Sequence, residues 1–178
     1  MFAMIALFDR VTEQRIKNVW QQLKDHSISS YAFEVEDRRP HLTLASYNNL
    51  NLTEFIRQMN DSYNDMHPLE ITFNTIGSFL NSGTLFLSPT VTRELIEFHS
   101  NHHKCFHSFH DNPDSLYMPG KWIPHCTIAN RLSKEKLSEA FRFCIEREGT
   151  FVGQISEVAL IDVSEKNKAP IIYSAHLL

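Results

Sequence analysis

Two stretches of the chain carry polar residues where a core strand would ordinarily hold Val or Ile. RPHLTLASY (39–47) contains Pro40, His41 and Thr43, and WIPHCTIAN (122–130) repeats the arrangement as Pro124, His125 and Thr127. In an extended strand residues i and i+2 share a face, so His41 and Thr43 project together while Leu42 and Leu44 project the other way. The same alternation sets His125 and Thr127 against Cys126 and Ile128. Were the two polar faces to meet, one cleft would hold two imidazoles and two hydroxyls. Imidazole acts as base in one state and acid in the other near neutral pH. One histidine could take a proton from an attacking water and the other protonate a leaving oxygen, while the threonine hydroxyls donate to phosphoryl oxygens that gain charge. That set suits phosphodiester chemistry without a metal.

The elements around the two stretches decide whether they can meet. The opening AMIALF reads as a strand, and Ile16, Val19, Trp20 and Leu23 fall at i, i+3, i+4 and i+7 of a helix over 11–25. Asn51 with Glu54 resembles a capping box before the helix LTEFIRQMNDSY, and LEITFNTIGSFL alternates like a strand. A second series follows: the strand TLFLS, a helix over roughly 91–110, the His125 strand, a helix from Ser133 and the strand ISEVALIDV. In the last helix Leu137, Ala140, Phe141, Cys144 and Ile145 form the expected core stripe. Both series run strand, helix, Pro-His-x-Thr strand, helix, strand. The spacings agree as well, with 78 positions from Leu7 to Leu85 and 84 from His41 to His125. The expectation is a single domain, 1–178, of two pseudo-symmetric halves, roughly 1–82 and 83–178. A final strand, IIYSAHLL, pairs with VALIDV across the turn SEKNKAP.

Composition narrows the function classes. The 178 residues are 42% hydrophobic and 21% charged, with a net charge of −4. That balance suits a folded domain, and it lacks the many cations needed to wrap long duplex nucleic acid. Cys105, Cys126 and Cys144 form an odd set without CxxC spacing, which fits a reducing cytoplasm better than a disulfide framework. The apolar start is too short for a signal peptide or membrane span, so no membrane partner is expected.

In PHLTL and PHCTI, with the opening IALF and closing YSAHLL strands, nearly the whole chain resembles the 2H phosphoesterase superfamily, which includes the bacterial 2′-5′ RNA ligase-like proteins. The resemblance implies a bilobal α+β fold, each lobe an antiparallel-type sheet with helices outside and the active-site cleft between the lobes. It implies hydrolysis or transesterification at RNA-type 2′ linkages, including 2′,3′-cyclic phosphates and 2′-5′ bonds. Its catalytic histidines fall on His41 and His125, and its phosphate-binding hydroxyls on Thr43 and Thr127. The expected substrate is a small nucleotide or RNA end, handled by a monomer with no cofactor. Two alternatives stay open: joining RNA ends through a 2′-5′ bond, and a non-catalytic nucleotide- or RNA-binding module.

Residues near the motifs are candidates for substrate contact. Arg38, Arg39, Lys121 and Arg131 flank the strands as possible phosphate ligands, and Tyr47, Tyr117, Trp122 and Tyr173 as possible base-stacking rings. The stretch EFHSNHHKCFHSFH spaces His99, His103 and His107 like metal ligands. A solvated helix edge, with His102 alone in the core, explains it without metal, so no metal site is expected.

Overall fold

Each predicted helix starts where a polar side chain can take up its free N–H groups. The computed structural model describes residues 1–178. In it Asp9, Asn51, Thr92 and Ser133 cap α1 (Arg10–Asp25), α2 (Leu52–Tyr63), α3 (Arg93–Cys105) and α4 (Lys134–Arg147). Between them run seven strands: β1 (Phe2–Phe8), β2 (His41–Tyr47), β3 (Leu69–Ser78), β4 (Leu85–Pro89), β5 (Cys126–Ala129), β6 (Phe151–Asp162) and β7 (Ile171–His176). The fold is α+β, and every strand pair is antiparallel.

The two series of elements meet in one ladder, ordered β2-β1-β6-β3-β4-β5 with β7 beside β6. The long strand β6 makes this possible. Its first residues, Phe151–Ile155, pair with β3, and from Ile155 onward β1 lies on one side and β7 on the other. The separate sheets expected of two lobes are therefore continuous through β6. Gly153 fits here because a Cβ would overlap the side chain of Thr12 in the first turn of α1. In this order β2 and β5, the strands of the two His-x-Thr motifs, are the two edges. The sheet curves enough to bring their Cα atoms within 8 Å of each other. Thr43 lies opposite Ile5 and Thr127 opposite Phe86, so the register makes Ile5 and Phe86 the matching positions rather than Leu7 and Leu85.

All four helices pack on one face and share a core with Leu42, Leu44, Cys126 and Ile128. The opposite face carries a small apolar cluster of Ile5, Leu7, Ala159 and Ile161. His41 and Thr43 point to this open face beside Leu7 and Ile5. The stripe on α4 differs from the expected one: Ala140, Phe143 and Cys144 are buried, while Phe141 and Ile145 are exposed. The cysteines are free, and no helix is long and apolar enough to cross a membrane.

Candidate active site

Both motif histidines are held alike. His41 Nδ1 donates to the carbonyl of Arg39 at 2.7 Å, and His125 Nδ1 donates to the carbonyl of Ile123 at 2.7 Å. A carbonyl can only accept, so each neutral ring carries its proton on Nδ1 and leaves the Nε2 lone pair free. In both cases the anchoring carbonyl lies two residues earlier, across the motif proline, and both prolines are buried.

Two tryptophans fasten the motif strands. Trp122, just before β5, donates its indole N–H to the Thr43 carbonyl at 2.8 Å, and Trp20 of α1 donates to the Thr127 carbonyl at 3.3 Å. The first tie joins the two motif strands, and the second fixes β5 to α1, which also packs on β6 and β1. A bulge adds to this at β2. Met4 pairs with Ala45 and Ile5 with Thr43, so Leu44 has no partner in β1. Its carbonyl accepts instead from His99 Nε2 at 3.2 Å and His103 Nε2 at 3.1 Å.

The histidines of α3 are therefore structural, and the expected solvated edge needs correction. His99, His102 and His103 are all buried, because β2 and the 107–122 loop cover that side of the helix. His99 also donates to the Tyr117 carbonyl at 2.8 Å and stacks on Trp122 at 3.9 Å between ring centroids. His102 bridges the hydroxyls of Tyr47 and Tyr63, at 2.8 Å each, and His103 pairs with His110 at 3.0 Å. No group of three or more His, Cys, Asp or Glu side chains is arranged to hold a metal ion. With α3 and Trp122 over it, the outer edge of β2 is covered without a further strand.

A cavity of about 420 Å³ opens beside His41 and Thr43, bordered by Tyr31, Arg38, Tyr117 and Arg131 and floored by Ile5 and Ile161. His125 and Thr127 lie outside its lining. The His125 ring instead packs on Phe79 and Phe86, with centroids at 4.8 and 5.4 Å. Even so, His41 feels the charge of His125. His41 is lowered to about 4 by burial and by the charges of Arg38 and His125, while burial lowers His125. Both rings are neutral at pH 7 with Nε2 able to accept a proton.

The remaining candidates are placed differently from the expectation. Arg39 borders the cavity, but its guanidinium is held by Glu13 and Glu157, at 2.8 and 2.9 Å. Arg131 is ion-paired with Glu34. Trp122 supports the β2 backbone rather than the cavity wall. Tyr47 and Tyr173 are core-side residues, which corrects their assignment as stacking rings. Tyr47 would share the face of His41, but the Leu44 bulge shifts the alternation by one residue, turning Tyr47 into the core and Ser46 to the cavity. Tyr173 lies opposite Leu160, a core residue, and its hydroxyl bonds Asn60 of α2 at 2.5 Å. Two cavity residues, Tyr31 and Ser46, had no signal in the sequence. The turn bearing Tyr31 has no periodicity, and a bulge leaves no local mark.

An antiparallel α+β sheet with two His-x-Thr edge strands brought close by its curvature, their histidines in one tautomer, defines a class of candidate acid–base sites. The family profile described as the 2′-5′ RNA ligase superfamily matches residues 12–167. This chain belongs to that superfamily. Among curated proteins none matches it. Similar solved structures include a phosphoesterase at 12% identity and TM-score 0.63, covering 99% of this chain and 97% of that one. Escherichia coli LigT complexed with 3′-AMP is 12% identical at TM-score 0.62, covering 99% and 96%. A Thermus thermophilus protein, TT0787, is 13% identical at 0.58, covering 99% and 97%. At these identities the likeness shows the fold.

Proposed function

We propose that this chain is a metal-independent phosphodiesterase that hydrolyses a 2′,3′-cyclic phosphate or a 2′-5′ linkage of a small nucleotide or RNA end. The observation that carries the reading is the paired tautomer: two His-x-Thr strands, each presenting a free Nε2 with a hydroxyl two residues on. Membership of the superfamily supports it, and so do the solved structures of LigT complexed with 3′-AMP and with ATP, as evidence that this fold can bind nucleotides.

In this reading His41 Nε2 takes a proton from water as the water oxygen bonds to phosphorus. The bond from phosphorus to the leaving ribose oxygen breaks, and His125, charged by the bound anion, gives its Nε2 proton to that oxygen. His41 is given the base role because burial, with Arg38 and His125, keeps its ring neutral and Nε2 free to accept at pH 7. Thr43 and Thr127 donate to the non-bridging oxygens. The protein acts as a monomer in a reducing cytoplasm, in keeping with three free thiols. Joining ends through a 2′-5′ bond uses the same proton transfers with a 5′-hydroxyl in place of water. Its oxygen bonds to the phosphorus of a 2′,3′-cyclic phosphate as the bond to the 3′ oxygen breaks and that oxygen takes the proton. The superfamily description favours joining as a second reading.

A panel of 2′,3′-cyclic nucleotides and 2′-5′ oligonucleotides under chelator tests the proposal. Hydrolysis to a monoester is expected. Net joining at equilibrium would select the ligase reading, and tight binding without product would leave a binding module.

A further inference from the structure

Five cationic side chains around the cavity differ in how their charge is used. Arg39 is engaged by Glu13 and Glu157, Arg131 by Glu34, and Lys168 on the β6–β7 turn by Glu165. Arg38 makes no ion pair. Its acidic neighbour Asp37 is exposed on a turn with φ 52°, and Lys166, also unpaired, stands on the exposed β6–β7 turn. Arg38 is half-buried, and its guanidinium carbon sits 3.9 Å from the centroid of the Tyr31 ring. Stacking on a ring face leaves the in-plane N–H groups of a guanidinium free to donate.

The platform under Arg38 leads to the other motif. Tyr31 packs edge-on against Trp20, with ring centroids 6.3 Å apart, and Trp20 donates to the Thr127 carbonyl. At its other end Arg38 lies three residues before His41 and borders the same cavity. It therefore stands between the His41 and Thr127 strands with no carboxylate engaging its guanidinium. A planar fork of donors beside the acid–base histidine His41 matches a tetrahedral oxyanion better than a base or sugar.

We propose that Arg38 is a substrate-binding residue that clamps the phosphoryl group by bidentate hydrogen bonds, with Tyr31 as the platform that positions it. The assignment rests on the phosphodiesterase reading and names the residue that holds the reacting group. The electrostatics agree. Burial raises the Tyr31 phenol against the pull of Arg38 and Thr127 beside it, and the Arg38 charge helps keep His41 neutral.

Binding of inorganic phosphate, read from the His41 and His125 ring signals by NMR, tests the clamp without turnover. Loss of two charge-assisted hydrogen bonds predicts that Arg38→Met weakens phosphate binding by about a hundredfold. Arg38→Lys keeps the charge but not the fork and should recover only part of the affinity; it also serves if the Met variant fails to fold. Parental affinity in both variants, or no phosphate binding by the parent, would overturn the assignment. Phosphate binding that depends on Arg38 in a protein that cleaves no phosphodiester would uphold the clamp and sink the phosphodiesterase reading.

Discussion

Arg39→Met tests whether this arginine serves the fold or the substrate. Methionine keeps the apolar stem and removes the guanidinium, which bonds Glu13 at 2.8 and 2.9 Å and Glu157 at 2.9 Å. Glu157 is 6% exposed, and Arg39 is its ion-pair partner. Glu13 keeps Lys17 at 2.6 Å. Stranding one member of a fully buried pair costs about 3–5 kcal/mol. Arg39 is about one-quarter exposed, so water reaches the gap and the expected loss is about 2 kcal/mol. The guanidinium also anchors the backbone whose carbonyl at this position orients His41, so turnover should fall through kcat, with KM little changed. Urea denaturation at pH 7 and initial rates measure both. Burial pushes the Glu13 carboxyl up, but Arg39 and Lys17 more than offset it, so its net value is lowered from 4.5. The pair's contribution is present above about pH 4.5 and lost as pH falls through the lowered value. An unchanged denaturation midpoint, or a raised KM at parental kcat, would refute the reasoning and return Arg39 to the substrate.

Thr43→Val and Thr127→Val should each slow turnover by about 2–4 kcal/mol of barrier while leaving thermal melting unchanged, and parental rates would reduce both hydroxyls to packing. His41 and His99 are both lowered from 6.5 to about 4, chiefly by burial, so the unfolded chain takes up protons first as pH falls. Stability is therefore fully present above about pH 6.5 and declines toward pH 4, by up to about 3 kcal/mol for each ring, and flat urea midpoints from pH 7.5 to 4.5 would contradict this. Trp122→Phe keeps a ring for His99 but leaves the Thr43 carbonyl without its donor, so a loss of about 1–2 kcal/mol in urea unfolding is expected, and no loss would remove the bond from the account.

Elements with a local cause were legible in the sequence. The helix on Ile16, Val19, Trp20 and Leu23, the Asn51 cap and the alternation of both His-x-Thr strands each follow from a few neighbouring residues. So does the pairing of the last strand with β6. The placement of Tyr47 was not legible, because one unpaired residue at Leu44 reverses every side chain beyond it. Nor was the burial of His99 and His103: helical spacing puts them at the edge of an arc, and only the 107–122 loop and the β2 edge make that edge interior. Arg38 and Arg39 are adjacent and identical in type. What separates them is distant in sequence, since Glu157 engages Arg39 while Tyr31 and Trp20 support Arg38.

The paired histidines are tested most directly by the rate of hydrolysis of a 2′,3′-cyclic nucleotide under chelator by His41→Ala, His125→Ala and the double variant, each confirmed folded. General acid and general base each contribute about 10²–10⁴-fold, so each single variant should lose that much, and the double variant less than the product of the two losses. Near-parental turnover by either single variant, on a substrate the parent clearly hydrolyses, would contradict the two-histidine site.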